Sequence, residues 1–271
     1  MKKLILLLIA FACLCLSATA AEPALTGRAA ELFRKAQGGR WFADAAKLKP
    51  DFVPTSDGQS FLVVWRAVPE PKRWIVSLHG TQGFATDDLA LWHPHVKGRE
   101  VGLVCVQWWL GAGDRTDAYY APQQLYQEID TALQKLGVQP GTAMLHGFSR
   151  GSANSYAVAA LDAGRGKRYF SLVVANSGGV GLDYPPTRAI VSGAFGQRPL
   201  QGTRWITVAG GRDPNPGRDG IPGMRSAAAW LKEQGATVVT AIEDPQEGHG
   251  ALHRSAQHAR TVLDAFLNVK P

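Results

Sequence analysis

Apolar positions along this chain follow two rhythms. Some form near-continuous runs of strand length, and others recur every three or four residues, as one face of a helix does. The runs RWIVSLHG (73–80), VGLVCVQWW (101–109), TAMLHG (142–147), FSLVVANSG (170–178), RWITVAGG (204–211) and ATVVTAIED (236–244) alternate with helical patterns. The clearest helix is APQQLYQEIDTALQKLG (121–137), where Leu125, Ile129, Leu133 and Leu136 repeat at helical spacing until Gly137 closes the segment. Further helices are expected over 152–164, 224–235 and 251–269, with a short one over 25–39 that ends at Gly38-Gly39. An early strand is expected over 60–68, between Gly58 and Pro69. Buried strands alternating with helices make a parallel sheet covered on both faces. The expected fold class is therefore α/β, a doubly wound, mostly parallel sheet in a single domain, with no internal repeat or linker. The Pro/Gly-rich stretch from Gly178 to Gly202 is the candidate cap loop.

Composition narrows the setting. Hydrophobic residues make up 45% and charged residues 19% of the 271 positions, the balance of a globular chain rather than a disordered one. The N-terminus has a basic start at Lys2 and Lys3, an apolar stretch from Leu4 to Leu16, and the small-x-small tripeptide Ala18-Thr19-Ala20. That order is a signal peptide over 1–20, leaving 21–271 as the mature domain. The apolar stretch is shorter than the roughly 20 residues a membrane span needs, and no later segment approaches that length. The expectation is an exported protein, periplasmic or extracellular, with no stable membrane insertion. Lipoprotein processing at Cys13 or Cys15 is disfavoured, because neither follows a Leu-x-small-Cys pattern. Cys105 then stands alone in mid-strand, as a small core hydrophobe rather than a nucleophile.

The formal charge is +7 and falls to +5 when Lys2 and Lys3 leave. Basic residues are scattered, the densest cluster being RGKR at 165–168, and no aromatic-interleaved basic stripe marks a nucleic-acid partner. A weak preference for anionic surfaces or substrates is what the charge implies. Oligomeric state has no signature here.

Ligands of doubly wound sheets bind at the carboxyl ends of the strands. Reading each run to its end gives His79-Gly80, Gln107-Trp108-Trp109, Ser149, Asn176-Ser177-Gly178, Asp213 and, beyond the last run, His249. Gly147-Phe148-Ser149-Arg150-Gly151 places a serine at the apex of a strand-to-helix corner, with glycines that let the backbone pack closely. The backbone N–H of Arg150 and the helix dipole then point toward any oxyanion formed there. Serine alone is a weak nucleophile, so the chemistry requires a base and an orienting carboxylate. His249, in Gly248-His249-Gly250, and Asp213, after ITVAGGR, stand at later strand ends in the order Ser, Asp, His.

On these residues the chain resembles the α/β-hydrolase family over essentially its whole mature length, most closely compact secreted esterases and polyester-depolymerase-like members that pair LHG with an early oxyanion loop. The resemblance implies Ser149 as nucleophile, His249 as general base and then acid, and Asp213 as the group holding the imidazole tautomer. It implies an oxyanion hole from the backbone N–H groups of Arg150 and of Thr81, with Gln82 as the neighbouring option, since HGTQG departs from the glycine-rich HGGG form. Trp108, Trp109, Tyr119 and Tyr120 are candidate walls of an acyl or aromatic pocket. The implied substrate is a small-molecule or polymeric carboxylic ester, cleaved through an acyl-enzyme without a cofactor. Amide hydrolysis by a small exported serine peptidase uses the same machinery, but no propeller or helical cap that would select peptides is present. A non-catalytic binding protein on a hydrolase scaffold is the third reading, and the full Ser, Asp, His set argues against it.

Other candidates have duller readings. Asp219 competes with Asp213 within the turn-rich RDPNPGRDG. Asp213-x-Asn215-x-Gly217-x-Asp219 mimics the start of a calcium loop, but Met224 stands where that loop needs glutamate. His93 and His95 form an H-x-H pair without a recognisable third ligand, so no metal is expected. His146 is expected in the core, His253 inside the last helix, and His79 against the oxyanion loop.

Overall fold

The computed structural model describes residues 25–268. The expected signal peptide over 1–20, with Cys13 and Cys15, lies outside the described residues. Eight strands, β1 (Asp51–Pro54), β2 (Phe61–Arg66), β3 (Arg73–Leu78), β4 (Val101–Val106), β5 (Ala143–Phe148), β6 (Phe170–Asn176), β7 (Arg204–Gly210) and β8 (Thr237–Asp244), form one sheet. Their order across it is β1-β2-β4-β3-β5-β6-β7-β8. β2 pairs antiparallel with β1 and β4, and every other pairing is parallel. The helices are α1 (Gly27–Gln37), α2 (Phe42–Lys47), α3 (Ala85–Val96), α4 (Pro122–Lys135), α5 (Arg150–Gly164), α6 (Pro185–Val191), α7 (Ile221–Glu233), α8 (Ala251–Arg254) and α9 (Ala256–Leu267).

Successive strand residues point to opposite faces of a sheet, and both faces are apolar here. Val76, Val104 and Leu145 pack with Leu125, Ile129, Tyr156 and Leu231 of α4, α5 and α7. Their neighbours Ile75, Leu103 and Met144 pack on the other face with Leu32, Leu89, Trp92 and Phe266 of α1, α3 and α9. Cys105 is fully buried in that second layer, where desolvation pushes its thiol well up. It is part of the core.

α2 and β1 lie outside the expected elements, and three further features depart from the pattern. α3 is not among the expected elements: Ala85, Leu89, Trp92 and Val96 are buried at helical spacing, but Pro94 and two histidines occupy its last turn; Asp87 secures its start by accepting the N–H of Phe84 at 3.0 Å. The segment over 251–269 is two helices rather than one. Ser255 breaks it with φ −121° and ψ 113°, and its hydroxyl caps α9 by accepting the N–H of His258 at 3.3 Å. The Gly178–Gly202 excursion carries α6 and an exposed Leu182 and Val191.

Candidate active site

β5 delivers Ser149 into the turn before α5. Its backbone has φ +54° and ψ −117°, a conformation that costs a residue with a Cβ on the order of 1–3 kcal/mol. The surroundings hold it there: Ser149 N–H donates to the Asn176 carbonyl at 2.9 Å, and its own carbonyl accepts from Ala153 at 3.0 Å. The flanking glycines are steric necessities. A Cβ on Gly151 would stand 2.1 Å from the Leu78 carbonyl oxygen, and one on Gly147 would stand 2.4 Å from that of Gly151. Ser149 Oγ makes no hydrogen bond among the described residues, and the residue lines an open cavity of about 270 Å³.

β7 ends two residues before the turn that presents Asp213. This side chain is buried, with Oδ1 accepting the Asn215 N–H at 2.8 Å and Oδ2 accepting His249 Nδ1–H at 2.7 Å. A proton held on Nδ1 leaves Nε2 as the acceptor. The His249 loop is tied down by its neighbour: Gly250 N–H donates to Ser177 Oγ at 3.1 Å. The ring of Phe148, adjacent to the serine, lies 5.1 Å from that of His249. Asp219 does not displace Asp213, because it is held bidentately by Arg218 at 2.6–3.1 Å. Polar atoms of Asp213, Asp219 and His249 lie within 4.8 Å of one another and are the residues here that would hold a metal. Asp213 is engaged by His249 and the Asn215 N–H and Asp219 by Arg218, and Met224 of the calcium-like pattern is buried in the core.

The loop after β3 carries Thr81 and Gln82. Gln82, at φ +54°, donates its N–H to Tyr119 Oη at 2.9 Å. The N–H groups of Thr81 and Arg150 have no acceptor among the described residues, so these two remain free for an incoming oxygen. His79 braces the loop: its Nδ1–H donates to the Gly80 carbonyl at 2.9 Å, and its Nε2 accepts from Trp108 N–H at 3.4 Å. Burial pushes its pKa down to about 4, so it is neutral near pH 7.

Trp108, Tyr119 and Tyr120 line a second cavity of about 490 Å³, beside Arg150, Tyr184 and Phe195. Trp109 does not. Its Nε1–H donates to the Gly113 carbonyl at 2.9 Å and its ring packs on Phe84 and Lys35. Tyr184 and Asn154 belong to the site but had no distinguishing pattern in the sequence; Asn154 Nδ2 donates to Tyr184 Oη at 2.6 Å. On α3, His93 faces Trp65 of β2 and His95 faces Trp92 of the same helix. His146 is in the core, with Nδ1 accepting from Ser77 Oγ at 2.8 Å.

This sheet order, with a serine held at the turn between β5 and the helix that follows, is the α/β-hydrolase fold. Solved structures with the same fold include a fungal esterase from Rhizomucor miehei (14% identity over 88% of this chain and 90% of the other, TM-score 0.61). A hyperthermophilic esterase from Pyrobaculum calidifontis is similar at 18% identity, with the same two coverages and a TM-score of 0.60. Acyl-protein thioesterase 2 from Zea mays is similar at 18% identity over 76% of this chain and 99% of its own, with a TM-score of 0.55. No protein-family model and no curated protein sequence matches the chain.

Proposed function

We propose that the protein is an exported serine hydrolase that cleaves carboxylic esters through an acyl-enzyme. The observation that carries this reading is the 2.7 Å bond from His249 Nδ1 to buried Asp213, beside a serine held in a strained turn at a cavity. In this reading His249 Nε2 takes the Ser149 proton as Oγ attacks the ester carbonyl. The proton then passes to the departing alkoxide, and water enters by the same base to release the acid. The N–H groups of Thr81 and Arg150 hold the oxyanion, and Gln82, engaged by Tyr119, shapes the loop. The missing Ser149–His249 hydrogen bond is no obstacle, since such contacts often tighten only with substrate bound. The esterase and thioesterase neighbours support an acyl-transfer role, and the 1–20 segment supports export.

A fluorophosphonate probe should label Ser149 in folded protein and not after heating. Ser149→Ala should lower kcat on short-chain 4-nitrophenyl esters by at least about a thousandfold without loss of fold. Wild-type turnover by Ser149→Ala would end the assignment.

A further inference from the structure

Arg150 follows the nucleophile directly and lines both cavities, the one that opens on Ser149 and the aromatic one beside it. Its guanidinium is held in place but not neutralised. Nε donates to Thr81 Oγ1 at 3.3 Å, and the group lies over the Tyr119 ring at 4.5 Å from the centroid. Among the described residues no carboxylate pairs with it. Of the other charges of the nucleophile's cavity, Arg218 forks onto Asp219, and exposed Asp183 forms no ion pair among the described residues. Arg150 is the cation of this cavity that has no ion-pair partner among the described residues, at the place where a substrate must lie.

We propose that Arg150 recognises a carboxylate carried by the ester substrate, close to the scissile carbonyl. The inference rests on the hydrolase reading and names its substrate class. A guanidinium whose ring face and Nε are already engaged still presents its two Nη groups, a geometry suited to a carboxylate. Because the side chain springs from the residue after Ser149, the anion it binds sits near the reacting carbon. The apolar remainder of the ester then fills the cavity of Trp108, Tyr119, Tyr184 and Phe195. Acyl-side and alcohol-side carboxylates share this chemistry, and the assay separates them.

Two matched pairs test it: 4-nitrophenyl hemiglutarate against 4-nitrophenyl butyrate, and 4-carboxyphenyl butyrate against phenyl butyrate. The readout is the ratio of kcat/KM within each pair, because the Arg150 backbone also serves the oxyanion and its variants can change both members. In wild type at least one pair should favour the anion by about tenfold or more, less so as salt is raised. Arg150→Met should bring that ratio to about one or below, and Arg150→Lys should keep part of it. Calorimetry with glutarate on Ser149→Ala, with and without Arg150→Met, reads the site without turnover. Hydrolysis with equal ratios in wild type and Arg150→Met overturns the anion site and leaves the hydrolase. Glutarate binding that depends on Arg150, with no ester cleaved, overturns the hydrolase reading and leaves the anion site.

Discussion

Ser149 has a backbone that its own side chain disfavours, and the hydrogen bonds to Asn176 and Ala153 keep it there. Removing the Cβ should relieve that strain. Ser149→Gly is expected to be more stable than Ser149→Ala by about 1 kcal/mol, despite the usual entropic cost of glycine, while both lack turnover. Urea midpoints of the two variants measure the difference, and a less stable Ser149→Gly would mean that the turn is not strained. The same corner was the most readable part of the sequence, because a strand-to-helix turn this tight demands glycine at both Gly147 and Gly151. Asp213 and Asp219 were harder to separate, since both follow β7 in a turn and tertiary contacts distinguish them: His249 bonds Asp213, and Arg218 forks onto Asp219. Trp109 was unreadable as a neighbour of Trp108. Its direction is set by the isolated bridge it makes with Tyr119, a contact that local pattern does not encode.

Elements with an unbroken period could be read directly from the sequence, and those shaped by tertiary contacts could not. Leu125, Ile129 and Leu133 sit fully buried on α4 as their spacing requires. The break between α8 and α9 depends instead on Ser255, where a cap overrides periodicity, and in α3 Pro94 and two histidines interrupt an otherwise helical spacing. The docking of α5 against β3 is the element contact on which the serine turn depends. There the helix backbone approaches the strand so closely that a Cβ on Gly151 would meet the carbonyl oxygens of Leu78 and His79 at 2.1 and 2.7 Å. Neither oxygen can step aside without moving β3. Gly151→Ala should therefore lower stability by about 1–3 kcal/mol or more and reduce activity with it, since α5 must shift and carry the turn along. Thermal unfolding beside esterase assays checks this. An alanine variant with unchanged melting and turnover would show that α5 is not seated so tightly.

Across the whole molecule, α8 joins the His249 loop to a buried layer of imidazoles. His253 of α8 lies edge-on to His146 of β5, with ring centroids 5.0 Å apart, and also faces Phe148 and Trp92. Burial, with His95 as the nearby basic group, pushes the His253 pKa down to about 4; burial lowers that of His146 as well. The sign of the pH effect follows. Below the unfolded value near 6.5 the unfolded chain takes a proton that the folded chain refuses, so each such group removes stability as pH falls toward 4. Asp88, raised by burial, acts in the opposite sense because it keeps its proton in the folded chain, so the total slope mixes signs. A difference between two proteins isolates one group. His253→Leu should flatten the fall in unfolding free energy between about pH 6.5 and 4 by up to about 1.4 kcal/mol per pH unit relative to wild type. Urea titrations across that window measure it, and parallel curves for the two proteins would mean that His253 titrates alike folded and unfolded. Because α8 begins immediately after Gly250, acid that charges this layer should loosen the His249 loop along with it. Esterase activity should therefore decline with stability on the acid side, and less steeply in His253→Leu.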